Sequence, residues 1–163
     1  MRHRLIHLIN PKTDSLTTRP LYLNRALYSP LAGLLAVAAG IPRDRYEVVL
    51  TDENIEPIDF DLKADLVGIS AMTSYVNRGY EIADAFRARG VPVAMGGVHP
   101  SFMPQEALTH CDAVVIGEVE LVLGNSSTIS RRARCAAPTS RTASTRWKAW
   151  RLRDMTCSSD TAT

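Results

Sequence analysis

Residues 64–97 read ADLVGISAMTSYVNRGYEIADAFRARGVPVAMGG, and three successive patterns in that stretch decide the fold. The first, Ala64 to Ser70, is a short apolar run rich in strand formers, of the length and composition of a buried strand. From Ser74 to Arg89, Val76, Ile82, Ala83 and Phe86 recur at helical spacing and Gly90 closes the element, as expected of a helix with one apolar face. The third, VPVAM at Val91 to Met95, is a strand ending on Gly96 and Gly97.

The same alternation continues outward in both directions. HRLIHLI (His3 to Ile9) before Asn10 and Pro11 reads as a first strand, YEVVLTDEN (Tyr46 to Asn54) as a second, and DAVVIG (Asp112 to Gly117) as the last. Between the first two, Ser29 and Pro30 offer a cap and a first-turn proline for the helix LAGLLAVAAG, with Gly40 as its stop. That helix is apolar on most faces and is expected to be well buried. PQEALTH (Pro104 to His110) predicts a further short helix. Apolar strands alternating with helices imply a doubly wound α/β domain, its parallel sheet covered on both faces.

A chain of 163 residues accommodates one such domain with a sizeable core. The longest apolar run, Leu31 to Ile41, falls short of the roughly 20 residues of a membrane span. The N-terminus has no signal-peptide core and the three cysteines form no framework, so the expected location is the cytoplasm. The net charge of +2 conceals a division: Met1 to Leu123 carries 11 Lys/Arg against 15 Asp/Glu, and Gly124 to Thr163 carries 8 against 2.

In doubly wound folds ligands meet the carboxyl ends of the strands, near the point where strand order reverses. The residues expected there are Asn10 and Pro11, then Gly68, Ser70 and Thr73, then Gly96, Gly97, His99 and Pro100, and finally Gly117 and Glu118. Small residues at such ends admit a ligand to the backbone, and the same residues also make tight turns. NPKTDSL after the first strand is not a dinucleotide fingerprint, and no Gly-x4-Gly-Lys-Ser/Thr phosphate loop occurs. A phosphoacceptor domain would want an aspartate where Ser70 stands and a lysine at Gly117 or Glu118. Asp52 and Glu53 follow the second strand, and an acidic pair in that position is expected to be solvated.

Taken in order, LINP, SPLAGLLAVAAGI, ADLVGIS with Thr73, GGVHPSFMPQEAL and CDAVVIGEVE resemble the N-terminal cobalamin-binding domain of the cobalamin-dependent radical S-adenosylmethionine enzymes. The resemblance runs from Met1 to about Glu120 and implies a five-stranded parallel sheet of flavodoxin-like type, with the corrin over its carboxyl edge and the nucleotide tail lowered between strand ends. It makes the eleven residues named above candidates for holding cobalamin, with no nucleic acid and no membrane as partner. Classical cobalamin domains ligate cobalt through Asp-x-His-x-x-Gly, a pattern that His3, His7, His99 and His110 all lack. Cobalamin bound without a protein histidine is therefore expected, with His99 and Pro100 shaping the loop after Gly97. His3 and His7 read as core or edge histidines, and His110 as the end of a short helix. The alternative is an α/β domain without cobalamin that serves as a structural or partner-binding module.

In the family, GEVE would lead on to a barrel holding a [4Fe-4S] cluster on Cys-x3-Cys-x2-Cys, where S-adenosylmethionine binds. Residues 124–163 instead hold 14 Ser/Thr and 7 Arg, with Cys135 and Cys157 too far apart for that motif. The expectation is a domain over 1–123 without its barrel, inactive alone and of the methyltransferase type in its full-length parent. The tail is expected to be disordered, and the abrupt change of composition fits translation out of frame.

Overall fold

The computed structural model describes residues 3–13, 32–117 and 134–136. Each apolar run identified above becomes a strand: β1 Arg4–Asn10, β2 Tyr46–Asp52, β3 Leu66–Ser70, β4 Val93–Gly96 and β5 Ala113–Ile116. Between them lie α1 Ala32–Gly40, α2 Val76–Ala88, α3 Val98–Phe102 and α4 Pro104–His110, with a 3-10 turn at Thr73–Tyr75 ahead of α2. The sheet order is β2-β1-β3-β4-β5, with a further short strand, β6 Arg134–Ala136, beyond β5. β1 to β5 are parallel throughout, as expected, and strand order reverses between β1 and β3.

The structure adds one strand and corrects two expectations. The sheet has a sixth strand, β6 Arg134–Ala136, which lies antiparallel along β5 with Val115 opposite Cys135. It lies in the segment after Gly124 and pairs with the edge of β5 that the five parallel strands leave open. The rest of that segment, Glu118, and the Ser29-Pro30 cap lie outside the described residues. The helix α1 is not buried all round: Leu34 and Ala38 face the sheet, and Leu35 is 53% exposed. Finally, His99 and Pro100 do not shape an open loop but sit within α3, whose backbone bonds include Ser101 N–H to Gly97 O.

The two faces of the sheet carry different sizes of side chain. Val67, Ile69, Val93, Met95 and Val114 point towards α2 and α4, where they bury Val76, Ile82, Ala83, Phe86 and Ala107. On the α1 face, Ile6, Leu8, Tyr46 and Leu66 meet Leu34, Ala38 and Ile41, while β4 and β5 contribute Ala94 and Ala113 to this cluster. The registers Gly68 with Ala94 and Ser70 with Gly96 extend that low surface to the carboxyl edge. Side chains alternate faces along a strand, so V-G-I-S and V-A-M-G each present one bulky row and one nearly bare row.

His7 is fully buried on the bulky face, edge-on to Phe86 with ring centroids 5.9 Å apart. Its Nε2 is 3.0 Å from Thr51 Oγ1 and its Nδ1 has no hydrogen-bond partner. Burial holds the imidazole below the usual histidine range, with Asp59 opposing. A base with a depressed native pKa binds fewer protons folded than unfolded, so its contribution is fully present above about pH 6.5 and is lost as the pH falls through that value. The urea midpoint should therefore fall between about pH 7 and 5.5. In His7→Leu that slope should flatten, whatever the variant's absolute stability; an unchanged slope would assign it elsewhere.

Candidate functional site

The ends of β3, β4 and β5 are stitched into one edge by backbone geometry. Ala71 N–H donates to Gly96 O at 2.9 Å, and His99 N–H donates to Ala71 O at 3.2 Å. Gly97, at φ +96°, closes this contact: a Cβ there would stand 2.7 Å from Ala71 O and 3.0 Å from Ala71 N. Only glycine fits both that dihedral and that approach. Ser101 then bridges to the next strand, its hydroxyl donating to Gly97 O at 2.7 Å and accepting from Gly117 N–H at 3.1 Å. Gly117 itself has φ +90°.

Ser70, Thr73, Gly96, Gly97, His99 and Gly117 therefore converge on one edge. Ser70 and Gly96 lie opposite each other and are both half-buried, Thr73 is exposed, and Pro100 is buried beneath. Around them Met72, Val98, Phe102 and Met103 form an exposed apolar rim, with Phe102 80% exposed. Gly68 lies further inside the sheet, where the place of a side chain is taken by Leu8 Cδ2, 2.8 Å from an added Cβ. It is explained by packing between strands.

Asn10 and Pro11 belong to a separate cluster. Both are buried, and Asn10 Nδ2 donates to Asp52 Oδ1 at 3.1 Å, tying the end of β1 to that of β2. Asp52 and Glu53, expected to be solvated, are drawn in by donors. Asp52 is 4% exposed, and its Oδ1 also accepts from the backbone N–H and Nδ2 of Asn54. Glu53 accepts from Arg78 Nε at 3.0 Å and from Lys12 N–H at 3.0 Å. Burial alone would raise the Glu53 pKa, but Arg78 and the Lys12 N–H outweigh it and hold the carboxyl below its usual range.

His99 has a partner at each ring nitrogen, Thr73 Oγ1 and Glu106 Oε1, both at 3.3 Å. Glu106 also accepts from the Tyr80 hydroxyl at 3.0 Å, and the Tyr80 bond, then the His99 bond, keep its carboxyl below the usual range. His110, at the end of α4, stacks on Tyr80 at 4.2 Å and meets Asp84 Oδ2 at 2.8 Å. Cys111 is buried beside it, and burial pushes its thiol up to about 12, so it is no nucleophile at neutral pH. Among the described residues, no three His, Cys, Asp or Glu side chains gather as metal ligands, and no helix is long and apolar enough to cross a membrane.

Sequence reasoning missed Ala94 and Ala113, which continue the bare row, and Ser101 and Glu106, which brace it. The alternation of large and small residues in LVGIS and VAMG was a visible sign of the first pair. The second pair gave no sign, because their partners are set by tertiary structure.

Comparison with known proteins agrees with this geometry. A B12 binding domain model matches residues 19–125. The chain is 41% identical over 87 residues to a bacteriochlorophyllide d C-8(2)-methyltransferase of Chlorobaculum tepidum, covering 53% of this chain and 19% of that protein. It is 33% identical over 118 residues to the C-12(1)-methyltransferase of the same organism, covering 71% of this chain and 25% of that protein. An uncharacterized methyltransferase of Pyrococcus horikoshii is 32% identical over 134 residues, covering 74% of this chain and 28% of its own length. The matched region thus spans between 19% and 28% of the length of these relatives. A parallel sheet with a bare row reaching its carboxyl edge, joined to a family match over most of the folded region, leads to one conclusion: this chain belongs to the B12 binding domain family.

Proposed function

We propose that this domain binds cobalamin at the carboxyl edge of β3, β4 and β5, as the cofactor-holding part of a methyltransferase of the radical S-adenosylmethionine class. The observation that carries the reading is the low carboxyl end of the α1 face, where Ala94 leads to the half-exposed Ser70–Gly96 pair. A slender polar group lowered there meets little side-chain bulk and finds the Ser70 hydroxyl. The exposed rim of Met72, Val98, Phe102 and Met103 suits the apolar face of a flat macrocycle above it.

Bound cobalamin supplies a cobalt centre that carries a methyl group, a chemistry belonging to the cofactor, while the protein supplies position and environment. Here the binding loops position: Gly97 fixes the spacing of the β3 and β4 ends, and Ser101 adds β5. Because both His99 ring nitrogens are engaged, we read the cobalt as lacking a histidine ligand. We further read S-adenosylmethionine and the [4Fe-4S] cluster as belonging to a barrel of the longer parent, with the whole acting in the cytoplasm.

Incubation of the chain with hydroxocobalamin, followed by gel filtration, tests the proposal: corrin absorbance should travel with the protein. A colourless protein peak sinks it. Ser70→Val, which fills the end of the row with a good strand former, should weaken retention about tenfold or more, or about 1.4 kcal/mol, with urea stability nearly unchanged. A second reading, a partner-docking module without cobalamin, draws on the exposed Phe102. It predicts a colourless protein and a wild-type response from Ser70→Val.

A further inference from the structure

Thr73, His99, Glu106 and Tyr80 come from four separate elements and meet in one chain of contacts at the cofactor edge. Glu106 is the part whose chemistry is fixed. Its Oε1 already accepts the Tyr80 hydroxyl hydrogen, and Tyr80 is held in its protonated form by burial and by Glu106 itself. An ionised carboxylate only accepts, so the His99 Nε2 that faces Oε1 must carry a hydrogen. In a neutral imidazole the other nitrogen is then bare. His99 Nδ1 faces Thr73 Oγ1, so the threonine must donate its one hydrogen to the ring. Thr73 is left with lone pairs alone to offer outward, and it is exposed.

We propose that Glu106, acting through the His99 tautomer, makes Thr73 a hydrogen-bond acceptor towards the cofactor, so that this edge selects an uncharged amide N–H over a carboxylate on the corrin periphery. The inference rests on the reading that the domain binds cobalamin. Glu106 and His99 are positioning residues in this scheme, and Thr73 touches the ligand. Protonating His99 reverses the polarity: Nδ1–H then donates to Thr73, whose hydroxyl hydrogen becomes free to meet an acceptor. The groups facing the His99 ring are Thr73 from the turn, Tyr80 from α2 and Glu106 from α4, with His110 and Asp84 beyond Tyr80.

Two measurements on the full chain test the scheme. Nitrogen-15 NMR of the ligand-free protein should show His99 as the Nε2–H tautomer, with Glu106→Gln shifting it towards a mixture. Hydroxocobalamin should then bind about tenfold or more tightly than cobalamin monocarboxylates, in which one peripheral amide has been hydrolysed, for at least one amide position. Thr73→Val should remove that preference, Thr73→Ser should keep it, and acidification through the NMR-measured titration of His99 should diminish it. Should Thr73→Val fail to fold, Glu106→Gln carries the comparison and should narrow the preference. An Nδ1–H tautomer in the wild type, or undiminished preference in Thr73→Val or Glu106→Gln, overturns the inference while leaving cobalamin binding intact. Absence of any cobalamin retention overturns both, and the two failures are therefore distinguishable.

Discussion

Gly97→Ala is expected to cost about 3–4 kcal/mol of folding stability, a large share of what a domain of this size possesses. Two costs coincide at this position. The backbone is held at φ +96° and ψ −171°, a region that residues with a side chain almost never occupy. The added methyl would also lie 2.7 Å from Ala71 O, a backbone atom anchored by its bond from His99 N–H. Neither cost has a cheap escape, since turning the peptide would break the contacts to Ala71 and Ser101. Urea unfolding followed by circular dichroism measures the loss. Gly90→Ala is the matched control: its φ is +75° but nothing lies within 4 Å of the added methyl, so it should cost only about 1 kcal/mol. Equal losses for the two glycines would show that the close approach at Ala71 contributes nothing.

Phe86→Ala is expected to be comparably severe, about 3–5 kcal/mol. Its ring is fully buried at the centre of the α2 face, 5.2 Å from the Phe60 ring and edge-on to His7. Removing it leaves a cavity bounded by strand side chains that cannot collapse inward without distorting the parallel sheet. The same unfolding measurement checks this, and Phe86→Leu should recover at least half of the loss. A cost below about 1 kcal/mol for the alanine variant would mean that the core repacks freely.

Much of this architecture could be read from the chain before its structure. The runs around Val67, Val93 and Val114 are buried on both sides, and only a parallel sheet between helices makes such continuous apolar strands economical. α2 was legible because Val76, Ile82, Ala83 and Phe86 bury together on one side. Less legible was α1, whose apolar residues outnumber what the sheet can cover, so that hydrophobicity overstated burial at Leu35. A short helix at His99 and Pro100 was concealed by glycine and proline, residues that ordinarily signal a turn; here Pro100 occupies an early helical position where its missing N–H does no harm.

The candidate site divides in the same way. Gly96, Gly97 and Ser70 stand where strand-end reasoning puts them, because a parallel sheet always presents its carboxyl ends together. Asn10 and Pro11 fulfil the same rule of position yet turn to a different task, holding β1 to β2 through Asp52. Position along a strand is local information, whereas the direction of a hydrogen bond depends on which strand lies alongside. Asp52 and Glu53 illustrate this most clearly, since Asn54 and Arg78 were needed to bring their charges indoors.

The bonds joining Ala71, Gly96, Gly97, Ser101 and Gly117 have one consequence that concerns binding and not folding. Loops that order only when a ligand arrives subtract their lost freedom from its affinity, about 0.5–1.5 kcal/mol for each rotamer-rich side chain immobilised. On this edge the ordering is completed before any ligand appears, through backbone amides and a single serine hydroxyl. A molecule that settles there meets a preorganised surface, and little of its contact energy is spent on ordering these strand ends.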